Sequence, residues 1–438
     1  MKVDALPIED NTNGWSAILP ARIPKASLNG DVSADWLVVG AGYAGLAAAR
    51  RLAELRPENS VVLLEALAIG EGASGRNSGF AIDVPHNVGS SMEELEQAAH
   101  YKRLLRAGAD WLEQLMQTQN IDCQWARKGK YHCAVSPRLA EKVLSVYEHE
   151  LKSQCIDYQV LNREQLRDRL GTSYFHAGIY TPSDGLLNPA ALVRGLADSL
   201  PPNVRLFENT PVLDLEEGTY FVAKTPLGIV RAKKVVLATN VFLPKFGYYT
   251  QRMFPIASFA TLTSPLSKPQ RMRIGDPEEW GVTPVNALVG ATMRYTHDHR
   301  ILIRQHFHYA PGYAIPASVR DRVRSEHKRV FDARFPELSD AKMEHFWAGT
   351  INITRNGAPA WGQVAPKVFA AGGCNGVGVV KQTIAGRLLA EYASGESSLL
   401  VKDMMALGAP SSLPSRPFLD LGVRGYLALE RWKGRSEY

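Results

Sequence analysis

The chain predicts an α/β fold joined to an α+β unit, namely a Rossmann-like dinucleotide-binding domain with an antiparallel-sheet domain inserted into it. Three observations carry that expectation. Residues 35–65, DWLVVGAGYAGLAAARRLAELRPENSVVLLE, read as strand, tight turn, helix, strand. A second glycine-rich strand-to-helix junction, residues 372–378, GGCNGVG, stands near the C-terminus. Between them, from Phe254 to His308, the pattern changes to longer β-like runs.

The first stretch is the most informative. Trp36 to Val39 is a short apolar run of the kind a buried parallel strand shows. A G-x-G-x-x-G follows: Gly40 allows the turn, Gly42 lets backbone approach a pyrophosphate, and Gly45 lets the helix pack on the strand, with Tyr43 and Ala44 between them. The helix runs from about Ala44 to Leu55 and stops before Pro57. Val61 to Leu64 is the second strand. Glu65 ends it at the spacing of an acid that accepts hydrogen bonds from a ribose 2′-OH, and Ala66 in place of an arginine argues against a 2′-phosphate. Strand, helix and spaced acid together favour a bound dinucleotide over a bare glycine turn. They do not choose between FAD and NAD.

Composition narrows the class. The 438 residues suffice for two domains, and 45% hydrophobic with 21% charged residues is ordinary for a globular protein. The net charge of +6 is scattered rather than clustered, which does not indicate a nucleic-acid surface. Four cysteines without a C-x-x-C are too few for a disulfide framework and fit a reducing cytoplasm. The first thirty residues lack the pattern of a secretion signal, and no apolar run reaches the length of a membrane span.

In chain order, residues 1–33 form a polar lead-in that Trp15, Leu19 and Leu28 can pin to the body. The dinucleotide-binding domain is expected at 34–95, 175–245 and 345–398, the substrate domain at 96–174 and 246–344, and a tail at 399–438. The loop at 69–79, IGEGASGRNSG, brings backbone N–H groups close to a ligand where the cofactor's ribose should lie. Met92 to Met116 is helical in period, with Leu95, Ala98, Ala99, Leu105, Leu112 and Leu115 on one stripe. Ile121 to Val135 reads as two short strands, Pro137 to Ser153 and Asn162 to Leu170 as helices, Gly178 to Asn188 as a turn-rich stretch, and Pro189 to Leu200 as a helix. Val204 to Phe207 is a strand. A hairpin follows through 220–223 and 228–231, and then a separate strand over 234–240. Strands are expected at 256–262, 287–295, 300–308, 346–352 and 367–371, with helices at 316–335 and 379–394 and a short one at 425–433.

Three pieces line up in order: GAGYAG with Glu65, the GEGASGRNSG loop, and NGAPAWGQVAPKVFAAGGCNGVGVV. Together they resemble the D-amino-acid-oxidase-like superfamily of FAD-dependent oxidoreductases, over roughly residues 15–400. Within it the chain looks most like the gamma-glutamylputrescine oxidoreductases and related amine and amino-acid oxidases. The resemblance implies a Rossmann-like FAD-binding domain with non-covalent FAD, since residues 346–359 hold no cysteine where sarcosine oxidases attach their flavin. It implies that Gly40, Gly42 and Gly45 hold the pyrophosphate and that Glu65 binds the ribose. Ser74, Gly75, Arg76, Asn77 and Ser78 would wrap the middle of the cofactor. Val212 would meet the adenine through its backbone, and Ala238 and Thr239 would lie over the cofactor. Gly373, Asn375, Gly376, Val377, Gly378 and Val379 would contact pyrophosphate or flavin, with the following helix pointing its positive end at the ring. Val380 stands where sarcosine oxidases carry a lysine that grips a carboxylate, with Lys381 one step on.

The activity so implied is oxidation of the C–N bond of an amine or amino acid to an imine by hydride transfer to FAD, with oxygen as the expected acceptor. A quinone-linked imino-acid or D-amino-acid dehydrogenase is the nearest alternative. A flavin-binding subunit of a larger or RNA-modifying complex is the more distant one. Such chemistry needs no nucleophile and no metal. Candidate substrate-facing residues are Arg304 and His306, which alternate on the last long strand and would share a face with His308. His86, just past the SGRN loop, could reach the flavin edge. His297 and His299 with His306 and His308 read as a polar hairpin rather than a metal site. Tyr131, Tyr295 and Trp347 read as core. The expected partner is a small-molecule amine or amino acid. The basic tail, with Phe418, Leu419 and Tyr426, either straps the FAD domain or touches a membrane surface.

Overall fold

Val32–Val39 sits in the middle of an eight-stranded sheet and pairs in parallel with Val61–Leu64 on one side and Ile229–Leu237 on the other. The order across the sheet is Ala360–Ala365, Val368–Gly372, Ile229–Leu237, Val32–Val39, Val61–Leu64, Val204–Phe207, and off this path Phe221–Lys224 pairs with Ile229–Leu237 and Asp214–Glu216 with Phe221–Lys224. In this computed structural model, which describes residues 1–83 and 98–435, the register places Val39 beside both Leu64 and Leu237. Gly40, Glu65 and Ala238 therefore follow at one edge, the carboxyl end where open parallel sheets take their ligands.

Helix Tyr43–Leu55 buries its alanines and leucines against this sheet and ends at Arg56, ahead of Pro57. Helix Val379–Ala393 packs across it. The contact is close because Gly386 lies against the Ala44 carbonyl, where a Cβ would stand 2.0 Å from that oxygen. Helix Ala98–Thr118 completes the layer with Leu105, Gly108, Leu112 and Leu115 buried, whereas Ala98 of the expected stripe is half-buried and Ala99 exposed, because the first turn lies at the rim of the layer. Leu95 of the expected stripe lies outside the described residues.

The second sheet also has eight strands, in the order Met343–Thr354, Met253–Thr263, Ile301–Tyr309, Thr292–Tyr295, Trp280–Pro284, Lys130–Ala134, Ala177–Thr181, Gln159–Asn162. Its outer face carries helix Ala317–Arg334, and Phe331 and Phe335 pack with Trp280 and Tyr295 there.

Several expectations change. The hairpin strand and the parallel strand are one strand, Ile229–Leu237, because a strand has two edges: residues 229–232 pair with Phe221–Lys224 while residues 230–237 pair with Val32–Val39. The stretch 121–135 holds one strand, Lys130–Ala134, not two. The stretch 178–188 is not simply turns. Ala177–Thr181 is a strand of the second sheet, and Gly178 is there because a Cβ would press to 3.0 Å from Cys133 Sγ. Ala177–Thr181 and Met343–Thr354 run in the second sheet, whereas residues 175–245 and 345–398 were assigned to the dinucleotide domain. Trp280–Pro284 is a strand that sequence reading passed over. The tail forms two helices, Leu399–Ala406 and the sixteen-residue Phe418–Lys433. The second packs through Leu427 on Ile256 and Tyr309, so it covers the second sheet rather than strapping the dinucleotide domain.

Candidate functional site

The glycines at the sheet edge are required by close approach. Gly40 has φ +94° and a Cβ there would stand 2.7 Å from the Ala238 carbonyl oxygen. A Cβ on Gly45 would meet the Gly40 oxygen at 1.7 Å, and one on Gly42 would meet Ser74 Oγ at 2.6 Å. Helix Tyr43–Leu55 has no side-chain cap from Gly42, and its Tyr43 N–H donates to Ser74 Oγ at 3.2 Å. Its positive end, with that serine beside it, faces the space a phosphate would fill. Glu65 accepts the Ala41 N–H at 2.7 Å and the Leu67 N–H at 3.1 Å, and burial raises its pKa above the usual carboxylate value. Thr239 Oγ1 is buried without a hydrogen-bond partner. Val212 is buried, and its N–H makes no hydrogen bond among the described residues. A dinucleotide fits this cradle.

The loop over residues 73–79 is held by its carbonyls. Trp347 Nε1 donates to the Arg76 carbonyl at 2.9 Å and Trp15 Nε1 to the Asn77 carbonyl at 2.8 Å. Buried Arg294 donates to the Gly79 and Leu187 carbonyls, with Glu279 at 2.8 Å to balance its charge. Residue 79 is glycine because it takes φ +73° and a Cβ there would stand 2.2 Å from both Arg294 Nη1 and the Leu187 carbonyl oxygen. Gly75 is pressed against the Gly70 carbonyl in the same way. With the carbonyls tied back, Asn77 and Ser78 turn toward a cavity of about 1700 Å³ between the two sheets. Arg76 also borders it, but its guanidinium is spent on the lead-in, Asp10 at 2.8 Å and Glu9 at 3.2 Å, and on the Ala348 carbonyl of the second sheet at 3.2 Å.

The second glycine loop forms another wall. Asn375 staples it, accepting the Thr354 N–H at 2.8 Å and donating to the Gly357 carbonyl at 2.8 Å. Gly373 and Gly376 take φ +74° and +86°. Gly376, Val377, Gly378 and Val379 border the cavity, and helix Val379–Ala393 starts there with no side-chain cap. Lys381 lies instead over the Tyr101 ring at 4.8 Å.

The remaining walls are largely apolar: Phe254, Ile256, Phe307 and Ile351, with Leu419, Val423 and Leu427 of the C-terminal helix. Into them reaches Arg304. Its Nη1 is buried without a hydrogen-bond partner, its guanidinium carbon lies 5.0 Å over the Phe307 ring, and burial pushes its pKa down to about 10. It is a full cation at neutral pH, and among the described residues it has no ion-pair partner.

His306 does not share that cavity. Ser258 pairs with Phe307 and Phe259 with Gln305, so His306 is the extra residue of a bulge, with φ +68°. The bulge breaks the alternation expected of 304, 306 and 308 and puts Phe307 beside Arg304. His306 turns to Glu326 at 3.0 Å and Arg431 at 3.1 Å; burial lowers its pKa, with Glu326 opposing. His299 is engaged by Tyr295 and Arg271. Among the described residues no three His, Cys, Asp or Glu side chains group to hold a metal. His86 lies outside the described residues. Sequence reading missed Arg294 and the first two turns of the C-terminal helix, which was expected only at 425–433; the apolar period of residues 418–432 could have signalled those turns, and nothing local marks Arg294.

The family described as DAO, FAD dependent oxidoreductase, matches residues 35–392. The chain is 28% identical over 415 residues to a probable oxidoreductase OrdL of Haemophilus influenzae, covering 91% of this chain and 93% of that one. It is 27% identical over 421 residues to the gamma-glutamylputrescine oxidoreductase of Escherichia coli, covering 94% and 93%. Among solved structures, glycine oxidase from Geobacillus kaustophilus superposes with a TM-score of 0.69 at 20% identity, over 84% of this chain and 96% of that chain. L-proline dehydrogenase from P. horikoshii gives 0.67 at 19% identity, over 89% and 100%.

Proposed function

The chain belongs to the DAO family of FAD-dependent oxidoreductases, and from that premise we propose that it oxidises the C–N bond of an amine or amino acid bearing an anionic group, with oxygen as acceptor. The observation that carries this reading is Arg304, a buried guanidinium without an ion-pair partner among the described residues, in the cavity that Gly376–Val379 also border. A carboxylate is the group such a fork binds in two parallel hydrogen bonds. The similarity to a gamma-glutamylputrescine oxidoreductase agrees, since a glutamyl group carries one.

In this reading Gly40, Gly42, Gly45, Ser74, Glu65, Val212, Ala238 and Thr239 hold the adenosine and pyrophosphate end of FAD. Asn77, Ser78 and Gly373–Val379 hold the flavin end. When bound, FAD supplies the acceptor for the hydride that leaves the substrate carbon, giving an imine that water hydrolyses. Arg304 anchors the substrate's anionic end and so fixes which carbon faces the reaction centre. Phe254, Ile256, Phe307 and Ile351 exclude water, and that desolvation favours the neutral amine over the ammonium. His306 has no role in binding substrate; it positions the bulged strand that presents Arg304.

The test is oxygen consumption on matched pairs of compounds, an amino acid and the amine that differs from it only by the missing carboxylate. The anionic member should have the higher kcat/KM by about 10- to 100-fold, the worth of one charge-assisted hydrogen-bonding pair. Equal rates for both members, or preference for the neutral amine, would contradict the assignment.

A further inference from the structure

The C-terminal helix Phe418–Lys433 has two apolar sides, and only one is used by the fold. Leu427 packs on Ile256 and Tyr309. On the opposite side Phe418, Leu421, Leu429 and Trp432 follow one another at helical spacing and form one stripe, 69, 68, 47 and 63% exposed. Exposed large apolar side chains are normal one by one; a row of four on one helix is not. The orientation of that row is fixed from beneath. Tyr309 donates to Asp420 at 2.6 Å, and Arg431 donates to His306 and to the Phe307 carbonyl.

Charge says what covers it. From residue 416 to residue 435 the chain carries Arg416, Arg424, Arg431, Lys433 and Arg435 against only Asp420 and Glu430. Glu430 pairs with Lys433 at 2.8 Å, and Asp420, which accepts from Tyr309, pairs with Arg416 at 3.5 Å, so Arg424, Arg431 and Arg435 remain as the excess cations of this segment. Two copies pressed together through this face would bring like charges into register. An anionic surface would meet them. Trp432 and Tyr426 add the aromatic side chains that settle at a bilayer's headgroup level, and Arg435 lies over the Trp432 ring at 5.6 Å. Among the described residues no helix is long and apolar enough to cross a membrane, so the helix would lie in the plane of the surface.

We infer that the exposed stripe of helix Phe418–Lys433 is a docking surface for an anionic lipid bilayer. Phe418, Tyr426 and Trp432 also border the cavity, so docking sets the cavity mouth at the headgroup layer. This inference stands on the helix alone and does not depend on which substrate the cavity takes.

The test is co-sedimentation of the full-length, FAD-loaded protein with phosphatidylcholine vesicles that contain or lack phosphatidylglycerol. Binding to the anionic vesicles should be at least about tenfold stronger than to neutral ones and should fall steeply with added salt. The double variant Leu421→Glu/Leu429→Glu, at two positions that do not border the cavity, should remove binding while the oxidation rate with a soluble substrate and the far-UV dichroism stay as they were. Should that variant not fold, Arg424→Gln/Arg435→Gln serves in its place and should weaken binding by about fivefold per charge. Wild-type protein left in the supernatant with anionic vesicles would overturn the inference. So would a dimer, seen by sedimentation equilibrium, that the double variant dissolves in the absence of any vesicle binding; the stripe would then be an interface between copies of this chain.

Discussion

Trp347, on the second sheet, donates its indole N–H to the carbonyl of Arg76, on the loop beside the first sheet, at 2.9 Å. This bond, with those from Trp15 and Arg294, turns the carbonyls of the SGRN loop away from the cavity. Trp347→Phe keeps an aromatic ring in the core and removes the donor. We expect a stability loss of about 1 kcal/mol for the bond, plus what the smaller ring leaves unfilled, and weaker retention of FAD through gel filtration. Unchanged retention would mean that the loop holds its shape without this tether.

Arg304→Met should raise KM for an anionic substrate by about 10- to 100-fold while changing kcat less, because the interaction it removes is present in the bound substrate and in the transition state alike. The variant should be no less stable than wild type, since it deletes a buried charge that lacks a partner. Steady-state kinetics and urea titration read the two effects separately.

Gly45→Ala and Gly72→Ala form a matched pair. A Cβ at 45 would stand 1.7 Å from the Gly40 oxygen, whereas at 72 nothing lies within 4 Å. The first should cost about 3 kcal/mol or more and abolish FAD binding; the second should fall within about 0.5 kcal/mol of wild type. Thermal unfolding with and without added FAD tests both.

Acid should destabilise the protein through two buried histidines. Burial lowers the pKa of His327 to about 4 and that of His132 to about 3, against about 6.5 in the unfolded chain. Between those values the unfolded chain binds protons that the folded chain does not. Stability therefore falls as pH drops below about 6.5, by about 1.4 kcal/mol per pH unit for each histidine at most. His327→Gln should flatten that slope between pH 6 and pH 4 in urea unfolding. Its ring nitrogens contact Thr261 Oγ1 at 2.7 Å and the Gln305 carbonyl at 3.3 Å. An unchanged slope would move the effect to other groups.

What could be read from the sequence follows the range of the interactions concerned. The strand-turn-helix unit at 35–65 is set by local rules, a run of apolar residues, glycines at fixed offsets and a spaced acid, and it folds as read. Arg304 was visible as a charge on a long strand, but its neighbours were not. The bulge at His306 depends on how the strand pairs with Met253–Thr263, and that shift of one residue decides which side chains face the cavity. The same limit applies to Gly178, whose glycine reports the sulfur of Cys133 across the sheet rather than a turn. Arg294 acts on backbone far away in sequence, so nothing local marks it; Trp15 was legible as a pin of the lead-in, but not as a donor to the Asn77 carbonyl. The C-terminal helix was half seen: the period was there from Phe418, but the glycines at 422 and 425 hid its first two turns.

The most direct measurement is the visible spectrum of the purified protein under anaerobic conditions while amines and amino acids are added. We expect the absorption of a bound oxidised flavin, bleached by an anionic amine or amino acid and restored when oxygen returns. A bleached spectrum that returns only with quinone would move the acceptor, not the cofactor. Colourless protein that no added FAD renders yellow would contradict the reading of the Gly40–Glu65 edge and the cavity beside it.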